Sequence, residues 1–306
     1  MKIRRVRPFI ILTAGVLIAL AVITWCFWER PEAPSYSPPK IKLYISKSDN
    51  LLSLSLEDYI CGTVAAEMPA SFEYEALKAQ AICARTYALN RLTSGIKYEN
   101  NADLSDDITC CQAYISDQEF GERHPQGTEE YLKKIRQAVA ETKGQVMIYQ
   151  GEPLDALYSS TCGGRTENGG AKQPYLKSVL CTFCKASPRN ITRQTFSSQQ
   201  ISAQLGLPQQ DMRVQVTEAK PSGRIKQISI NGKTMTGEEL RSALDLPSTW
   251  CSFQTNGNSL IITSRGYGHG IGLCQFGANG MARQGYTYLQ ILHHYYQNFD
   301  LCHLPY

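Results

Sequence analysis

The apolar positions of the chain follow two patterns, an unbroken run near the N-terminus and periodic spacing after it. Residues 9–28 contain no charged side chain over 20 positions, a length that spans the roughly 30 Å hydrocarbon core of a bilayer as a helix. Basic residues precede this run, so the positive-inside rule predicts a cytoplasmic N-terminus and an exterior remainder. A cleaved signal peptide is the alternative. The run is longer than a typical signal core and ends in bulky residues, which favours an uncleaved signal anchor.

Helix-boundary signals predict the main helices of the exterior part. Ser55-Leu-Glu-Asp58 resembles a capping box that opens a helix through Met68, and Pro69 ends that helix. A second helix follows Ser71 and stops at Gly95. Three further helices are predicted, at 131–144, after Thr236-Gly-Glu-Glu239, and at about 275–298.

Alternating apolar residues around turn signals predict hairpins. The pattern indicates hairpins within 41–54, around Gly151, around Pro221-Ser-Gly223 and at 256–258, whereas 96–127 is polar and irregular. No βαβ rhythm is present, so the predicted class is α+β, with antiparallel strands and segregated helices. The expected organisation is a cytoplasmic basic tip and transmembrane signal anchor (1–30), a Pro-rich linker (31–41) and one large exterior domain (42–306).

The position of the charges excludes one class of partner. The formal net charge is +4, from 31 basic and 27 acidic residues. Five of the basic residues and one of the acidic residues lie within 1–30, so the rest of the chain carries 26 of each. A surface that follows a polyphosphate needs a cationic surplus. We therefore expect no nucleic-acid partner.

Glu67 is the first candidate for chemistry. It lies in VAAEMP, at the C-terminal end of the first predicted helix and just before a proline. The negative end of the helix dipole and apolar neighbours both raise the pKa of a carboxyl group, as a general acid requires. A surface glutamate that simply ends a helix is the plainer interpretation. No second carboxyl can be placed at the ~5–9.5 Å separation that conventional glycosidases use.

Two glycine-rich segments are the next candidates. YSSTCGGRTEN (158–168) offers hydroxyl groups and backbone N–H groups to a polar ligand, or is an ordinary tight turn. In RGYGHGIGLCQFGA (265–278) a glycine recurs at every second position from Gly266 to Gly272. This spacing predicts an extended segment with one bare face, which a ligand or a packed helix approaches closely. His269 stands in the middle of it.

Ten cysteines follow the leader, and their spacing leaves several interpretations open. Cys110-Cys111 are adjacent, and Cys181-x-x-Cys184 is compatible with a zinc half-site or a redox pair. Structural thiols or disulfides are the alternative, in line with an exported domain.

Three segments together resemble the stage II sporulation protein D family, which shares its domain with amidase-enhancer proteins. The segments are EDYICGTVAAEMPASFEYEALKAQAICARTYAL, SSTCGGRTEN and RGYGHGIGLCQFGANGMARQGYTYLQILHHYY, together with CQAY (111–114) and PYLKSV (174–179). The resemblance covers about residues 42–302.

The resemblance implies a peptidoglycan lytic transglycosylase that cuts the MurNAc–GlcNAc bond of denuded glycan strands during endospore engulfment. The family's catalytic glutamate matches Glu67. It would protonate the leaving oxygen and then deprotonate the muramic C6 hydroxyl, which closes a 1,6-anhydro ring without a second carboxyl. By the same resemblance, eight residues would line the glycan cleft: Arg85, Gln112, Tyr114, Ser160, Gly163, Gly164, His269 and Gln275.

The sequence departs from the family pattern at two positions and leaves the metal question open. Ser159 stands where the family often has His, and Cys162 where Ser is common. Some clostridial members bind zinc just before the Gln-x-Tyr motif. Only Cys110 and Cys111 match there, so a structural zinc would need others such as Cys181 and Cys184. The reaction itself requires no cofactor.

The resemblance also implies partners and a location. The domain would act between the mother-cell and forespore membranes, anchored through residues 9–28. The implied partners are glycan strands, an amidase like stage II sporulation protein P and a membrane scaffold like protein M. The rival hypothesis is a non-catalytic wall-binding module that enhances an N-acetylmuramoyl-L-alanine amidase.

Overall fold

The computed structural model describes residues 37–208 and 212–306. Contacts divide the chain into two compact units, and the larger runs from Pro38 to Leu304. Among the described residues no helix combines the length and the apolar character needed to cross a bilayer. The predicted anchor at 9–28 lies outside the described residues.

The larger unit is a mixed α+β domain, as the sequence predicts. The described residues form these α-helices: α1 Leu56–Glu67, α2 Tyr74–Thr93, α3 Asp117–Arg123, α4 Thr128–Glu141, α5 Ser198–Leu205, α6 Gly237–Ala243, α7 Gln275–Ala282 and α8 Tyr288–Tyr295. Short 3-10 turns lie at Glu99–Asn101 and Thr182–Ala186.

The strands are short and form several small sheets. Their bounds are β1 Lys40–Ile45, β2 Asn50–Ser55, β3 Leu104–Ser105, β4 Gln145–Tyr149, β5 Glu152–Pro153, β6 Tyr158–Ser159, β7 Ile191–Ser197, β8 Val214–Ala219, β9 Ile225–Ile230, β10 Lys233–Thr236, β11 Cys251–Asn256, β12 Ser259–Arg265, β13 Leu273–Cys274 and β14 Asp300–His303. The strand orders are β2-β1-β3, β14-β4-β5, β13-β6, β11-β12-β7 and β10-β9-β8.

The predicted hairpins are present, but the expectation of purely antiparallel strands is wrong at two places. β1/β2, β4/β5, β8/β9 and β11/β12 pair as antiparallel neighbours. β3 pairs in parallel with β1, and β13 pairs in parallel with β6. Both parallel pairs are two residues long and join distant parts of the chain, so no local alternation announces them.

Helix caps decide where the helices begin and end. The Ser55 hydroxyl accepts a hydrogen bond from the Asp58 N–H at 3.1 Å and opens α1, as predicted. The single helix predicted at 275–298 is instead two helices. Gly285 adopts a left-handed φ of +86°, and Thr287 and Gln290 form a capping box that opens α8.

The segment 96–127 is also more ordered than predicted, because it contains β3 and α3.

Two groups of buried residues support the unit. Helix α2 is the centre of the first and packs against α1, α4, α7, α8 and β4. Its alanines, such as Ala79 and Ala84, are fully buried and let the neighbouring helices come close. The second core includes Ile228, Leu240 and Leu260 and joins the sheets of β7–β12 to α5 and α6.

Candidate active site

A cavity of about 810 Å³ opens where the C-terminal end of α1 meets the glycine-rich segments. Its volume lies within the range of ligand pockets. The wall includes aromatic side chains, hydroxyl groups and amides. Its lining residues include Glu67, Tyr87, Cys110, Cys111, Gln112, Phe120, Arg123, His124, Tyr158, Ser159, Ser160, Tyr267, His269, Gln275 and Phe276. Among the described residues that line the cavity, Glu67 is the only one with a carboxyl group.

Glu67 is the last residue of α1. Met68 caps the helix with extended dihedral angles (φ −125°, ψ 131°), as expected for a residue that precedes proline. The last turn of α1 contains no basic residue. The carboxyl group therefore lies at the negative end of a helix whose dipole it opposes, which favours its protonated form.

The surroundings of Glu67 shift its acidity in the same direction. Burial raises the pKa of Glu67 above its ordinary value. A hydrogen bond from the Ala113 N–H to Oε1, at 2.8 Å, opposes this shift. The Gln275 amide and the Tyr158 hydroxyl are also within hydrogen-bonding reach and favour the carboxylate when they donate. The net result is a carboxyl group that holds its proton at higher pH than usual.

The segment that presents Ala113 is fixed against α1 by close packing. The Ile115 N–H donates to the Gly62 carbonyl at 3.3 Å. A Cβ at Gly62 would lie 2.3 Å from the Tyr114 ring, so only glycine fits there. Tyr114 also stacks on Tyr59, with ring centroids 6.0 Å apart. Tyr114 thus packs on α1 and is not among the described residues that line the cavity, so its predicted contact with a glycan stays a prediction.

Gln112 and Tyr158 form a hydrogen-bond chain that ends at Glu67. The Gln112 Nε2 donates to the Ala84 carbonyl at 3.3 Å and to the Tyr59 hydroxyl at 3.1 Å. A carbonyl can only accept, so this contact fixes the orientation of the amide and leaves Oε1 as an acceptor. The Tyr158 hydroxyl donates to that oxygen at 2.7 Å. Its proton is thus committed to Gln112, and its lone pairs remain available to the Glu67 carboxyl.

Tyr158 was not among the residues predicted for the site. It opens the motif YSSTCGGRTEN, but a tyrosine in a short strand is usually a packing residue. Its partner Gln112 lies 46 positions away. Its place in the site depends on the parallel pairing of β6 with β13. No local sequence pattern reveals that pairing, so the sequence held no signal that identifies Tyr158.

His269 is held by backbone groups on both ring nitrogens. Nδ1 accepts from the Ile271 N–H at 3.0 Å, and Nε2 lies 2.9 Å from the Tyr158 carbonyl. Because Nδ1 accepts, Nε2 carries the hydrogen and donates to that carbonyl. The residue as a whole is exposed, but its ring nitrogens face the backbone, and desolvation there lowers the pKa of His269 to about 4. A neutral imidazole in this place positions the Tyr158 backbone.

The glycine repeat around His269 is not the extended bare face that the spacing predicts. Gly266, Gly268, Gly270 and Gly272 all have left-handed φ values, between +71° and +103°. A Cβ at Gly272 would lie 1.9 Å from the Leu157 carbonyl oxygen. The close approach that requires glycine at this position therefore comes from the backbone of the protein itself.

Arg85, Gly163 and Gly164 are not among the described residues that line the cavity, and their predicted contact with a glycan stays a prediction. The Arg85 side chain is fully buried and forms a bidentate ion pair with Glu57, at 2.7 and 2.8 Å. Gly163 packs on the backbone of Arg265. The Gly164 carbonyl accepts from the Cys181 N–H at 2.9 Å. The two glycines therefore belong to the wall behind the cavity.

Four other predicted site residues do line the cavity with Glu67: Gln112, Ser160, His269 and Gln275. Any contact of theirs with substrate stays a prediction.

The structure groups the cysteines differently from the metal ligands that the sequence predicts. Cys181 and Cys184 join Cys162 and Cys274 in a buried cluster whose sulfur atoms lie within 4.8 Å of one another. These four residues are called the cysteine cluster below. Cys110 and Cys111 lie apart from it, in the cavity wall. Cys162 and Cys274 were missed because each lies inside a glycine-rich motif, far along the chain from the CxxC. The cysteine cluster could hold a structural zinc.

The fold and the site define a class: an α+β protein whose cleft, among the described residues, holds one partly buried carboxyl group with a raised pKa. The sequence model described as SpoIID, Stage II sporulation protein, matches residues 44–149. Stage II sporulation protein D of Bacillus subtilis (strain 168) is 37% identical over 272 residues, which cover 87% of this chain and 79% of that protein. The chain belongs to the stage II sporulation protein D family and is thus a sporulation protein.

Two further proteins are similar to this chain. The protein of Bacillus amyloliquefaciens with the same name is also 37% identical, with the same shares of each chain covered. The amidase enhancer of Bacillus subtilis (strain 168) is 27% identical over 302 residues, which cover 78% of this chain and 40% of that protein.

Proposed function

We propose that this protein is a peptidoglycan lytic transglycosylase that cleaves the bond between N-acetylmuramic acid and N-acetylglucosamine in denuded glycan strands. One observation carries the proposal. Glu67, with a raised pKa, is the only carboxyl-bearing residue among the described residues that line a cavity of ligand size. Inverting and retaining glycoside hydrolases canonically use two carboxyl groups, whereas an intramolecular transfer needs one group that first gives a proton and then takes one.

The proposed reaction balances with Glu67 alone. Glu67 donates its proton to the glycosidic oxygen, and the bond from that oxygen to C1 of the muramic ring breaks. The C6 hydroxyl of the same ring attacks C1 and transfers its proton to the Glu67 carboxylate. The products are a free 4-hydroxyl on N-acetylglucosamine and a 1,6-anhydromuramic end. Water is not consumed, and the enzyme ends protonated and ready for another cycle.

The hydrogen-bond chain behind Glu67 supports the first step. The orientation of Gln112 commits the Tyr158 proton to the amide oxygen, so the Tyr158 oxygen can accept from a protonated Glu67. Hydrogen bonding to the neutral form raises the pKa of an acid. Burial raises the pKa of Tyr158 itself well above its ordinary value, so its proton stays in place. Tyr158 and Gln112 thus act as positioning residues.

The cavity wall suits an amphipathic sugar with one negative group per repeat. Tyr267 is 43% exposed, and its ring offers a flat surface to a pyranose face. Ser160 and Gln275 offer hydroxyl and amide groups to sugar hydroxyls. Removal of stem peptides leaves a free lactyl carboxylate on each muramic residue. Arg123, at the end of α3, is the one arginine among the described residues that line the cavity, and its guanidinium could pair with that carboxylate.

The cellular setting follows from the family and the predicted anchor. The enzyme would act during engulfment, in the space between the mother-cell and forespore membranes, held by a transmembrane anchor at 9–28 with its N-terminus in the cytoplasm. An amidase like stage II sporulation protein P would supply the denuded strands, and a scaffold like protein M would hold both at the membrane.

A second candidate function is a non-catalytic wall-binding module that enhances an amidase. The similarity to the amidase enhancer of Bacillus subtilis favours it. In that case the cavity would hold a glycan without cutting it, and Glu67 could be replaced without loss of effect.

The experiment separates the two functions. The full chain in detergent is incubated with purified denuded strands, and anhydromuramic ends are counted by mass spectrometry while binding is measured by co-sedimentation. We expect Glu67→Gln to bind strands normally and to form at least about 100-fold fewer ends. Glu130→Gln, which changes an exposed glutamate of α4, is the matched control. Binding without anhydro ends in the unaltered chain would reject the enzyme.

A further inference from the structure

The cysteine cluster brings together three segments of the chain behind the cavity. Cys162 follows β6, Cys184 lies in the 3-10 turn Thr182–Ala186 just after Cys181, and Cys274 ends β13. All four side chains are at most 1% exposed. A single buried cysteine generally behaves as a small apolar group. Four sulfur atoms within 4.8 Å of one another indicate a common ligand.

The distances between the sulfur atoms fit a shared metal ion. The Sγ atoms of Cys162 and Cys184 lie 3.7 Å apart. Zinc binds thiolate sulfur at about 2.3 Å in a tetrahedral arrangement, so two sulfur ligands of one ion lie about 3.8 Å apart. Four thiolates also complete the ligand set of a closed structural site.

Backbone groups around the cluster donate to the sulfur atoms. The Cys162 N–H and the Gly277 N–H both donate to the Sγ of Cys274, at 3.2 and 3.3 Å. The Gly163 N–H points at the sulfur of Cys184. N–H donors of this kind orient thiolate ligands and stabilise their charge. Gly163, predicted from the sequence as a glycan contact, thereby gains a role as support for a metal ligand.

The side of the cluster at Cys181 is closely packed. A Cβ at Gly277 would lie 2.6 Å from the Cys181 sulfur and 2.1 Å from the Tyr295 hydroxyl oxygen. That hydroxyl lies 3.3 Å from the same sulfur. Catalytic zinc sites keep a position for water or substrate, whereas structural sites do not. The surroundings of the cluster are those of a structural site.

A buried cation lies beside the cysteine cluster, where it would offset the negative charge of a zinc tetrathiolate. One zinc ion with four thiolates carries a net charge of −2, which is costly to bury without compensation. The Arg224 guanidinium is 1% exposed and donates to the Cys162 carbonyl at 2.8 Å. Glu167 is an anionic neighbour of this guanidinium, and Cys162 and Cys274 are close enough to interact with it once they bind a metal as thiolates. Arg224 therefore offsets part of the negative charge of the site.

We infer that Cys162, Cys181, Cys184 and Cys274 bind one zinc ion in a closed, tetrahedral structural site. The metal joins the strand pair β6/β13 to the turn at 182–186. Cys274 directly precedes Gln275, whose amide reaches Glu67, and Cys162 follows the segment that carries Ser160. The ion thus stabilises the segments that carry Ser160 and Gln275 in the cavity wall. The assignment of the metal does not depend on the proposed reaction, because its test reads metal content and ligand spectra.

The test measures metal in the full chain, purified in detergent without chelator from cells grown with zinc. We expect about one zinc per chain by elemental analysis. Replacement by Co²⁺ gives the intense visible bands of a tetrahedral thiolate site. Cys184→Ser and Cys274→Ser each lower the bound zinc at least about tenfold, in line with the loss of a structural ligand. Cys110→Ser and Cys111→Ser are the matched controls and retain one zinc.

The cobalt spectrum keeps the test decisive if a cysteine variant does not fold, because it reports ligand number and type in the unaltered chain. Non-reducing peptide mapping that found Cys162 bonded to Cys184, or any other disulfide within the cluster, would overturn the inference. So would a chain without bound metal, full loss of zinc in the Cys110→Ser control, or stoichiometric iron in place of zinc.

Discussion

The Glu67 carboxyl carries an energetic cost in the folded protein. It lies against the negative end of α1 and is partly buried, and its Ala113 N–H donor comes from a segment 46 positions away. Because burial raises its pKa above the ordinary value, folded Glu67 binds a proton more tightly than unfolded Glu67. Its contribution to stability is fully present below the unfolded pKa of about 4.5 and is lost as the pH rises through the folded pKa.

Glu67→Gln should therefore stabilise the protein while it abolishes cleavage. Glutamine stays neutral at every pH and keeps an oxygen for the Ala113 N–H. We expect the Tm of the variant to exceed that of the unaltered chain at pH 8 by about 2–4 °C, with the difference closing toward pH 4. Thermal unfolding followed by circular dichroism measures it, with Glu130→Gln as control. A lower Tm at pH 8 would contradict the raised pKa.

Tyr158→Phe tests the direction of the hydrogen-bond chain. If the Tyr158 oxygen accepts from protonated Glu67, the phenylalanine variant loses that support and the Glu67 pKa falls. Cleavage requires the protonated form, so its rate declines as the pH rises through this pKa. The alkaline limb of the rate profile should therefore move to lower pH in the variant. A move to higher pH would mean that Tyr158 donates to the carboxylate.

Tyr59→Phe is the matched control for this experiment. It also removes a buried hydroxyl that contacts Gln112, but the Ala84 carbonyl still fixes the orientation of the amide. Its rate profile should keep the alkaline limb of the unaltered chain. A structural effect of losing any buried hydroxyl would instead move both variants alike.

Among single residues, the sequence identified those whose role follows from a local signal. Glu67 is recognisable because a proline ends its helix one position later. Tyr158 was missed and the ion pair of Arg85 was not foreseen, because their partners lie 46 and 28 positions away. A guanidinium in a family motif looks like a ligand contact until its bidentate partner is known.

At the scale of elements, Arg85 joins several parts of the first core. From α2 it reaches Glu57 on α1, the Val139 carbonyl on α4 and the Gln145 carbonyl on β4, with contacts between 2.7 and 3.4 Å. A guanidinium with no exposed surface is tolerable only because these acceptors satisfy it. The ion pair therefore specifies how these four elements meet.

Arg85→Met should lower the free energy of unfolding by about 3–5 kcal/mol, the usual cost of breaking a buried ion pair. Arg136→Met removes an exposed ion pair with Asp117, whose two side chains are 53% and 60% exposed, and should cost less than about 1 kcal/mol. Urea unfolding of the full chain in detergent compares them. Equal costs for the two variants would show that Arg85 is not a structural centre.

Capping signals made several helices predictable. Caps and turns that the prediction overlooked explain two errors, in the last predicted helix and in the glycine repeat. The capping signals at Ser55 and Thr236 gave α1 and α6, because each cap is complete within four residues. The same chemistry at Thr287 and Gln290 divides the last predicted helix. The repeat from Gly266 to Gly272 was misread because spacing by two also fits a strand, and the sign of φ is not visible in the sequence.

At the scale of the whole molecule, the charge distribution predicts a partner that is not a polyanion. The sequence beyond residue 30 has equal numbers of acidic and basic residues, and the described residues that line the cavity include one carboxyl group and one arginine. The proposed substrate carries one lactyl carboxylate per disaccharide. If Arg123 meets one such group at a time, binding involves about one charge pair, while aromatic and hydrogen-bonding contacts provide the rest.

Affinity for denuded strands should therefore depend weakly on salt. Neutralising one charge predicts at most about a fourfold loss between 50 and 200 mM NaCl, against roughly 10³–10⁵ for proteins with 6–10 phosphate contacts. Co-sedimentation of the full chain with strands measures it. Arg123→Gln should remove the remaining dependence, while Arg136→Gln, an exposed arginine of α4, should leave it unchanged. A loss beyond tenfold would show that several charged contacts carry the binding, and that neutrality beyond residue 30 conceals a cationic groove.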